Sequence, residues 1–192
     1  MVSIIILSYN TRDLTLSCLR SLQKELKGFD HEVIVVDNAS SDDSSEAIKK
    51  QFPQIKFIQS KKNLGFAAGC NLAAEHAKGE QFLFLNSDVE LFENTPEKLV
   101  RIFTNHADAG IVGGMLQNKD GTLQRSYASF YSLPNVFRML FGGDKAEMKR
   151  FSNNAVRKVD WVSGGCMMVG REVFKKLHGF DEKFFMYLED VD

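Results

Sequence analysis

The sequence has 192 residues, of which 44% are hydrophobic, and this is enough for one domain with a substantial core. Its net charge of -1 argues against general affinity for nucleic acid, and its three cysteines lack the spacing of a zinc site or a disulfide framework. We therefore expect reduced thiols and a cytoplasmic protein, because neither a signal peptide nor a membrane-spanning run is visible.

Strands alternate with helices in the first half of the sequence. Three apolar runs predict buried strands, at 3–8, 32–36 and 82–85, and residues 55–58 predict a further short strand. The first helix, capped by Thr11 or Asp13, is predicted to bury five residues: Leu14, Cys18, Leu19, Leu22 and Leu26. The next three helices are predicted to end at Pro53, near Gly79 and at Phe103. This alternation is typical of βαβ units and a mostly parallel sheet.

The pattern changes after residue 109. Two strands and two short helices are predicted there: strands at 110–116 and 159–169, and helices at 136–141 and 171–177. A loop-rich insertion is expected over 127–158, and Ser163, Gly164 and Gly165 interrupt the second strand. Residues 184–192 have the pattern of a segment that begins a helix, so we expect the chain to be truncated at its C-terminus.

Two acidic residues follow the carboxyl ends of predicted strands. Asp37 follows the strand at 32–36, and Asp88 follows the strand at 82–85 within Asn86-Ser87-Asp88. Open α/β sheets bind ligands at this edge, and a hard divalent cation shared with phosphate oxygens needs a carboxylate of this kind. The pair predicts a nucleotide diphosphate site with a metal at Asp88. The alternatives are that Asp37 caps the next helix and that Asp88 is a turn residue.

Glycines mark two further candidate positions. Gly65 and Gly69, with Asn71, either let backbone approach phosphates or let the third helix pack closely under the sheet. Gly164 and Gly165 can make room for a substrate. Neither stretch matches a Walker loop, a GxGxxG fingerprint or the nucleophile turn of acyl-transfer enzymes.

The last residues form a cluster of carboxylates at Glu189, Asp190 and Asp192. Neighbouring carboxylates repel one another, which raises the pKa of one of them and favours a general base. The alternative is a negative first turn of a helix, which the helix dipole favours.

Six segments, in this order, resemble the inverting family 2 glycosyltransferases with the GT-A fold: SIIILSYN, VIVVDNASSD, NLGFAAGCN, FLFLNSD, DWVSGGCMMVGREVF and GFDEKFFMYLEDVD. The most similar subgroup is the rhamnosyltransferase-like enzymes of polysaccharide and cell-surface glycan assembly. The resemblance implies an α/β fold in which helices flank a mostly parallel central sheet with a small antiparallel extension. It also implies one domain over 1–192, with a nucleotide-binding half at 1–108 and an acceptor and catalytic half at 109–192.

The resemblance also assigns roles to individual residues. Asp190 would be the catalytic base, with Glu189 as the alternative. Asp88 would hold Mg²⁺ or Mn²⁺ at the DxD-like position, which opens here with Asn86. The residues implied to bind the nucleotide sugar are Ser8, Asn10, Asp37, Asn38, Asn63, Gly65, Asn86, Trp161, Gly164 and Gly165.

The implied reaction moves a sugar from a nucleotide-diphosphate sugar to a hydroxyl of a glycan or lipid-linked acceptor, with inversion. dTDP-rhamnose is the donor that the subgroup favours, and peripheral attachment to the inner face of the membrane would come from a region beyond residue 192. One alternative is a nucleotide-sugar-binding module without transfer. Another is a nucleotidyltransferase, although the first turn, Tyr9-Asn10-Thr11-Arg12, has no glycine, whereas that class has a glycine-rich loop with Arg and Lys there. A Rossmann dehydrogenase is the least favoured, for the same lack of glycines.

Overall fold

The computed structural model describes residues 1–124, 126–128, 130, 156–187 and 189–190. The strands in this part of the chain are β1 Val2–Ser8, β2 His31–Asp37, β3 Lys56–Gln59, β4 Gln81–Asn86, β5 Ile111–Gly113, β6 Tyr127–Ala128, β7 Trp161–Val162 and β8 Cys166–Gly170. The helices are α1 Arg12–Glu25, α2 Ser44–Gln51, α3 Gly65–Glu75, α4 Thr95–Asn105 and α5 Arg171–Lys176.

Six of the described strands form a central sheet in the order β3-β2-β1-β4-β8-β5. Strands β1 to β4 are parallel to one another, whereas β8 is antiparallel to both of its neighbours, β4 and β5. The prediction of a mostly parallel sheet with an antiparallel extension is therefore confirmed.

The core has two layers because the sheet is covered on both faces. On one face, Ile4 and Ile6 pack in a cluster with residues of α1, α2 and α4. On the other face, Ile5 and Phe84 pack in a second cluster with residues of α3 and α5. A strand with helices on both sides has no solvent-facing side chains, which is why β1 and β4 are continuously apolar.

The predicted strand at 159–169 is interrupted at residues 163–165, as the sequence indicated. Its two parts belong to different sheets, because the turn at Gly164 and Gly165 lets the chain leave one sheet and join another. Strand β7 pairs with β6 in a small antiparallel sheet, and β8 joins the central sheet. Strand β6 lies where only loop was expected.

Other differences concern the ends of elements. Leu14 is 46% exposed rather than buried. Thr15 takes the buried position instead, since its hydroxyl lies 2.9 Å from that of Ser8. Helix α3 ends at Glu75, and Gly79 packs against the start of β1, where a Cβ would lie 2.5 Å from the Ser3 nitrogen.

The predicted strand at 110–116 is limited to β5. The described residues of 184–190 form bends and turns rather than the start of a helix. The predicted helix at 136–141 lies outside the described residues. Within the described part of the chain, no helix has both the length and the apolar character needed to cross a bilayer. All three cysteines are buried and free, as expected for reduced thiols.

Candidate active site

The strand register brings the two acidic residues to one edge of the sheet. Ser8 is paired with Asp37 across β1 and β2, and Leu7 is paired with Asn86 across β1 and β4. Asp88 follows two residues after Asn86 and is exposed. Asp37 and Asp88 therefore lie at the same edge, which is the arrangement that the sequence predicted.

A cluster of hydroxyl groups connects the end of β1 with the turn after β4. The Thr11 hydroxyl lies 3.3 Å from that of Ser8 and 3.2 Å from that of Thr15, and it reaches Ser87 at 3.1 Å. Thr11 was predicted only as a helix cap, but its side chain makes no capping hydrogen bond. No local pattern indicates this cluster, because Thr11 and Ser87 are 76 residues apart.

Asp37 is fully buried at the end of β2. Its carboxylate accepts hydrogen bonds from the Ser45 hydroxyl at 2.7 Å and from the Ser40 backbone N–H at 3.4 Å. The same turn contacts Asn10, whose backbone N–H donates to the Ser40 hydroxyl at 2.9 Å. Asp37 thus orders the turn before α2 but does not cap that helix, whose N-cap residue is Asp43. A contact between Asp37 and a nucleotide remains a prediction.

Asn38 fastens the loop before α3 to the end of β2. Its side-chain oxygen accepts from the Leu64 backbone N–H at 2.8 Å, and its side-chain nitrogen donates to Asn63 at 2.8 Å. The side chain of Asn63 also accepts from the Gly65 backbone N–H at 2.9 Å. Asn38 is only 2% exposed, and its side chain is engaged in these hydrogen bonds to the loop before α3.

The two glycines of α3 have different surroundings. A Cβ on Gly69 would collide with the Leu7 side chain, so here the close-packing alternative is correct. Gly65 has a φ of +78°, and the backbone that approaches it belongs to Phe185. The Phe66 N–H donates to the Phe185 carbonyl at 2.8 Å, so in this structure the first turn of α3 binds protein backbone.

The turn between β7 and β8 joins the end of β4 to the C-terminal carboxylates. The Asn86 N–H donates to the Gly165 carbonyl at 3.1 Å, and the Gly164 N–H donates to Asp190 Oδ2 at 3.0 Å. Trp161 lies in β7, three residues before Gly164, and its indole nitrogen is buried without a partner among the described residues. Asp190 is thereby held beside the turn that contacts the segment carrying Asp88.

Glu189 lies in a less polar environment than Asp190. One of its carboxylate oxygens, Oε2, is buried and has no hydrogen-bond partner in the described part of the chain. Burial raises the pKa of Glu189, and the neighbouring charge of Asp190 raises it further, against a hydrogen bond from its own backbone that lowers it. The predicted repulsion between neighbouring carboxylates therefore contributes to the raised pKa of Glu189, although burial contributes more.

The end of β4 offers oxygen ligands for a cation. The negative charge at this place also acts on the nearby Cys18 thiol: burial raises the pKa of that thiol to about 12, and the charges of Asp88 and Glu90 contribute to the rise. Among the described residues, no group of three or more His, Cys, Asp or Glu side chains could hold a metal. The carboxylate of Asp88 and the amide oxygen of Asn86 fit Mg²⁺ or Mn²⁺ of the kind that takes few protein ligands and completes its shell with phosphates.

Comparisons with known proteins identify the family. Residues 3–178 match the model of glycosyl transferase family 2. The N-acetylglucosaminyl-diphospho-decaprenol L-rhamnosyltransferase of Mycobacterium tuberculosis is 27% identical over 185 residues, covering 83% of this chain and 58% of the relative. The low-salt glycan biosynthesis hexosyltransferase Agl10 of Haloferax volcanii is 26% identical over 208 residues, covering 100% of this chain and 59% of the relative. The chain thus spans less than two thirds of these curated relatives.

Solved structures share the fold. TarS 1-349 of S. aureus has a TM-score of 0.69 and 22% identity, covering 99% of this chain and 52% of that chain. The mannosyltransferase PcManGT from Pyrobaculum calidifontis, in complex with GDP-Man and Mn²⁺, has a TM-score of 0.66 and 20% identity, covering 94% and 47%. The fold is therefore GT-A, and the chain belongs to glycosyl transferase family 2.

Proposed function

We propose that this protein transfers a sugar from a nucleotide-diphosphate sugar to a hydroxyl of a glycan or lipid-linked acceptor, with inversion at the anomeric carbon. The observation that carries the proposal is the hydrogen bond between Gly164 and Asp190, since the same turn also contacts Asn86 at the end of β4. A proton acceptor is thereby linked to the acidic segment that would bind the donor diphosphate. The name of the Mycobacterium tuberculosis relative, an L-rhamnosyltransferase, supports rhamnose as the sugar, for which we propose dTDP-rhamnose as the donor.

The proposed reaction is a single displacement. The acceptor oxygen forms a bond to C1 of the donor sugar while Asp190 takes the hydroxyl proton, and the bond from C1 to the diphosphate oxygen breaks. The Gly164 N–H fixes one oxygen of Asp190, which leaves the other oxygen for the acceptor. A positioned base of this kind contributes about 10²–10⁴-fold to the rate.

On the donor side, the nucleoside diphosphate would lie along the edge formed by Ser8, Asp37 and Asn86. Asn10 and its neighbours would border the nucleoside, and Asp88 would hold the cation. A bound Mg²⁺ or Mn²⁺ neutralises charge on the departing diphosphate. PcManGT, which has the same fold, was solved with GDP-Man and Mn²⁺, and this supports the proposal that a divalent cation takes part.

The proposal is tested by calorimetry with nucleotide-diphosphate sugars, with and without Mn²⁺. We expect one donor to bind more tightly with Mn²⁺ and Asp88→Ala to abolish that gain. Glu75→Ala is the matched control, because Glu75 is also exposed and acidic but ends α3 at the opposite edge of the sheet. A chain that binds no nucleotide-diphosphate sugar under either condition would overturn the proposal. Binding without transfer to any acceptor would favour the alternative of a binding module.

A further inference from the structure

Helix α3 binds a distant part of the chain through one amide side chain. Asn71 Nδ2 donates to the Phe180 carbonyl at 2.9 Å, and the Phe180 N–H donates to Asn71 Oδ1 at 3.0 Å. One side chain thus pairs both backbone groups of a residue 109 positions away. Gly179 fits closely against this pair, because a Cβ there would lie 2.5 Å from Asn71 Oδ1.

The C-terminal segment, defined here as residues 179–190, has a second attachment at the other end of α3. The Phe66 N–H donates to the Phe185 carbonyl at 2.8 Å. Between the two attachments, the Phe180 ring packs against Phe66 and Phe84, with centroid distances of 5.9 Å and 5.0 Å. The segment is therefore fixed at 180 and at 185 before it reaches Asp190.

The end of the C-terminal segment also lies against α3. A Cβ on Gly164 would lie 3.9 Å from the Cβ of Asp190, so the end of the segment and Phe66 of α3 flank the same turn. Burial also raises the pKa of the Cys70 thiol, in the second turn of α3, and the charge of Glu189 raises it further. Phe66 also lies under the Gly164 turn, where a Cβ would be 3.2 Å from its ring. Because α3 contacts both the segment and the Gly164 turn, it sets their relative position.

We infer that Asn71 is a positioning residue for the proposed transfer reaction. By bonding both backbone groups of Phe180, it holds the C-terminal segment in the register that brings Asp190 to the Gly164 N–H. The inference rests on the proposed function, because the position of Asp190 matters for turnover only if Asp190 is the base. Asn71 itself does not touch the reacting atoms.

Cys70 provides a test that does not require activity. It is 2% exposed in the cluster between α3 and the sheet, and Phe180 of the C-terminal segment packs against that cluster. We therefore expect detachment of the segment from α3 to loosen the cover over the Cys70 thiol. The labelling rate is measured with a thiol reagent and peptide mass spectrometry. We expect Asn71→Ala to raise the rate for Cys70 roughly ten-fold, because it removes the two hydrogen bonds between the Asn71 side chain and the Phe180 backbone. Cys18 is the internal control, because it is buried on the opposite face of the sheet. Glu75→Ala, on the same helix, should leave both rates unchanged.

A paired variant guards against simple loss of folding. Asn71→Asp keeps an acceptor for the Phe180 N–H but loses the donor, and it places a charge beside Glu182, whose Oε1 lies 3.0 Å from Asn71 Nδ2. We expect faster Cys70 labelling in Asn71→Asp and partial recovery when Glu182→Gln is added. An unchanged Cys70 rate in both Asn71 variants would overturn the inference.

Kinetics separate a positioning role from a general structural one. For Asn71→Ala we expect the kcat for transfer to fall roughly 10–100-fold while the donor Kd stays within about two-fold, because misplacing a catalytic group costs rate rather than donor binding. The inference would be overturned if Asn71→Ala lowered kcat and donor affinity by the same factor and raised the labelling rates of Cys18 and Cys70 by the same factor. A wild-type chain without transfer would count against the proposed function alone, because the Cys70 rates still decide whether Asn71 holds the segment.

Discussion

The contact between Gly65 and Phe185 gives a quantitative test of how firmly the C-terminal segment is seated. A Cβ at Gly65 would collide with the Phe185 carbonyl oxygen and lie 2.8 Å from its ring carbon Cδ2. Gly28 has nearly the same backbone conformation, with a φ of +79° against +78°, but a Cβ there would meet nothing within 4 Å. Replacing each glycine by alanine therefore separates the contact from the backbone strain.

The strain is common to both substitutions. An L-residue in the left-handed region costs about 1–2 kcal/mol, so Gly28→Ala should lower the free energy of unfolding by that amount. Gly65→Ala adds the cost of overpacking, which is about 1–3 kcal/mol when neighbours must shift. For a chain of this length, that extra cost lowers Tm by roughly 2–12 °C relative to Gly28→Ala.

Urea and thermal unfolding at one pH measure both differences. The free energy of unfolding should be highest for the wild type, lower for Gly28→Ala and lowest for Gly65→Ala. Equal losses in the two variants, within about 0.5 kcal/mol, would show that Phe185 moves away from Gly65 at no cost. That result would refute the conclusion that the C-terminal segment is held firmly at the start of α3.

Two further predictions concern the carboxylates. Asp190→Asn keeps an oxygen for the Gly164 N–H but cannot take a proton, so kcat should fall about 10²–10⁴-fold in a transfer assay while calorimetry gives an unchanged donor Kd; full turnover would remove Asp190 from the role of base. Because the pKa of Glu189 is raised in the folded state, its contribution to stability is full at acidic pH and is lost as the pH rises through that pKa. Between about pH 4 and pH 8, the Tm of the wild type should therefore fall more than the Tm of Glu189→Gln. If the two plots of Tm against pH are parallel, burial does not raise the pKa of Glu189.

The polar residues at the carboxyl ends of the strands were predictable because local patterns determine where each strand ends. Strands covered on both faces must be continuously apolar, and polar residues such as Asp37 and Asn86 appear where that cover ends. The register of parallel strands then brings these residues together, whatever their separation in sequence.

The contacts that complete the site were not predictable in this way. Asn71 and Phe180 are paired through a side-chain amide and a backbone, and nothing in the sequence near either residue specifies the other. The hydrogen bonds that Asp37 accepts from Ser45 and Ser40 were not predictable either, because they depend on how a short polar turn folds back over the strand end. Leu14 fits the helical pattern but is exposed, because Thr15 and Leu16 are the residues of that turn that are buried.

The place of β8 in the central sheet limits how this domain can be divided. Strand β8 comes from the second half of the chain, yet it lies between β4 and β5, and residues 82–85 pair with it in full. A fragment that stops at residue 108 would leave β4 as a bare edge, with apolar side chains and unpaired backbone groups open to association with other chains. A chimaera that exchanges C-terminal parts between relatives should therefore place its junction after β8, so that strands β1 to β4 keep the strand that pairs with β4.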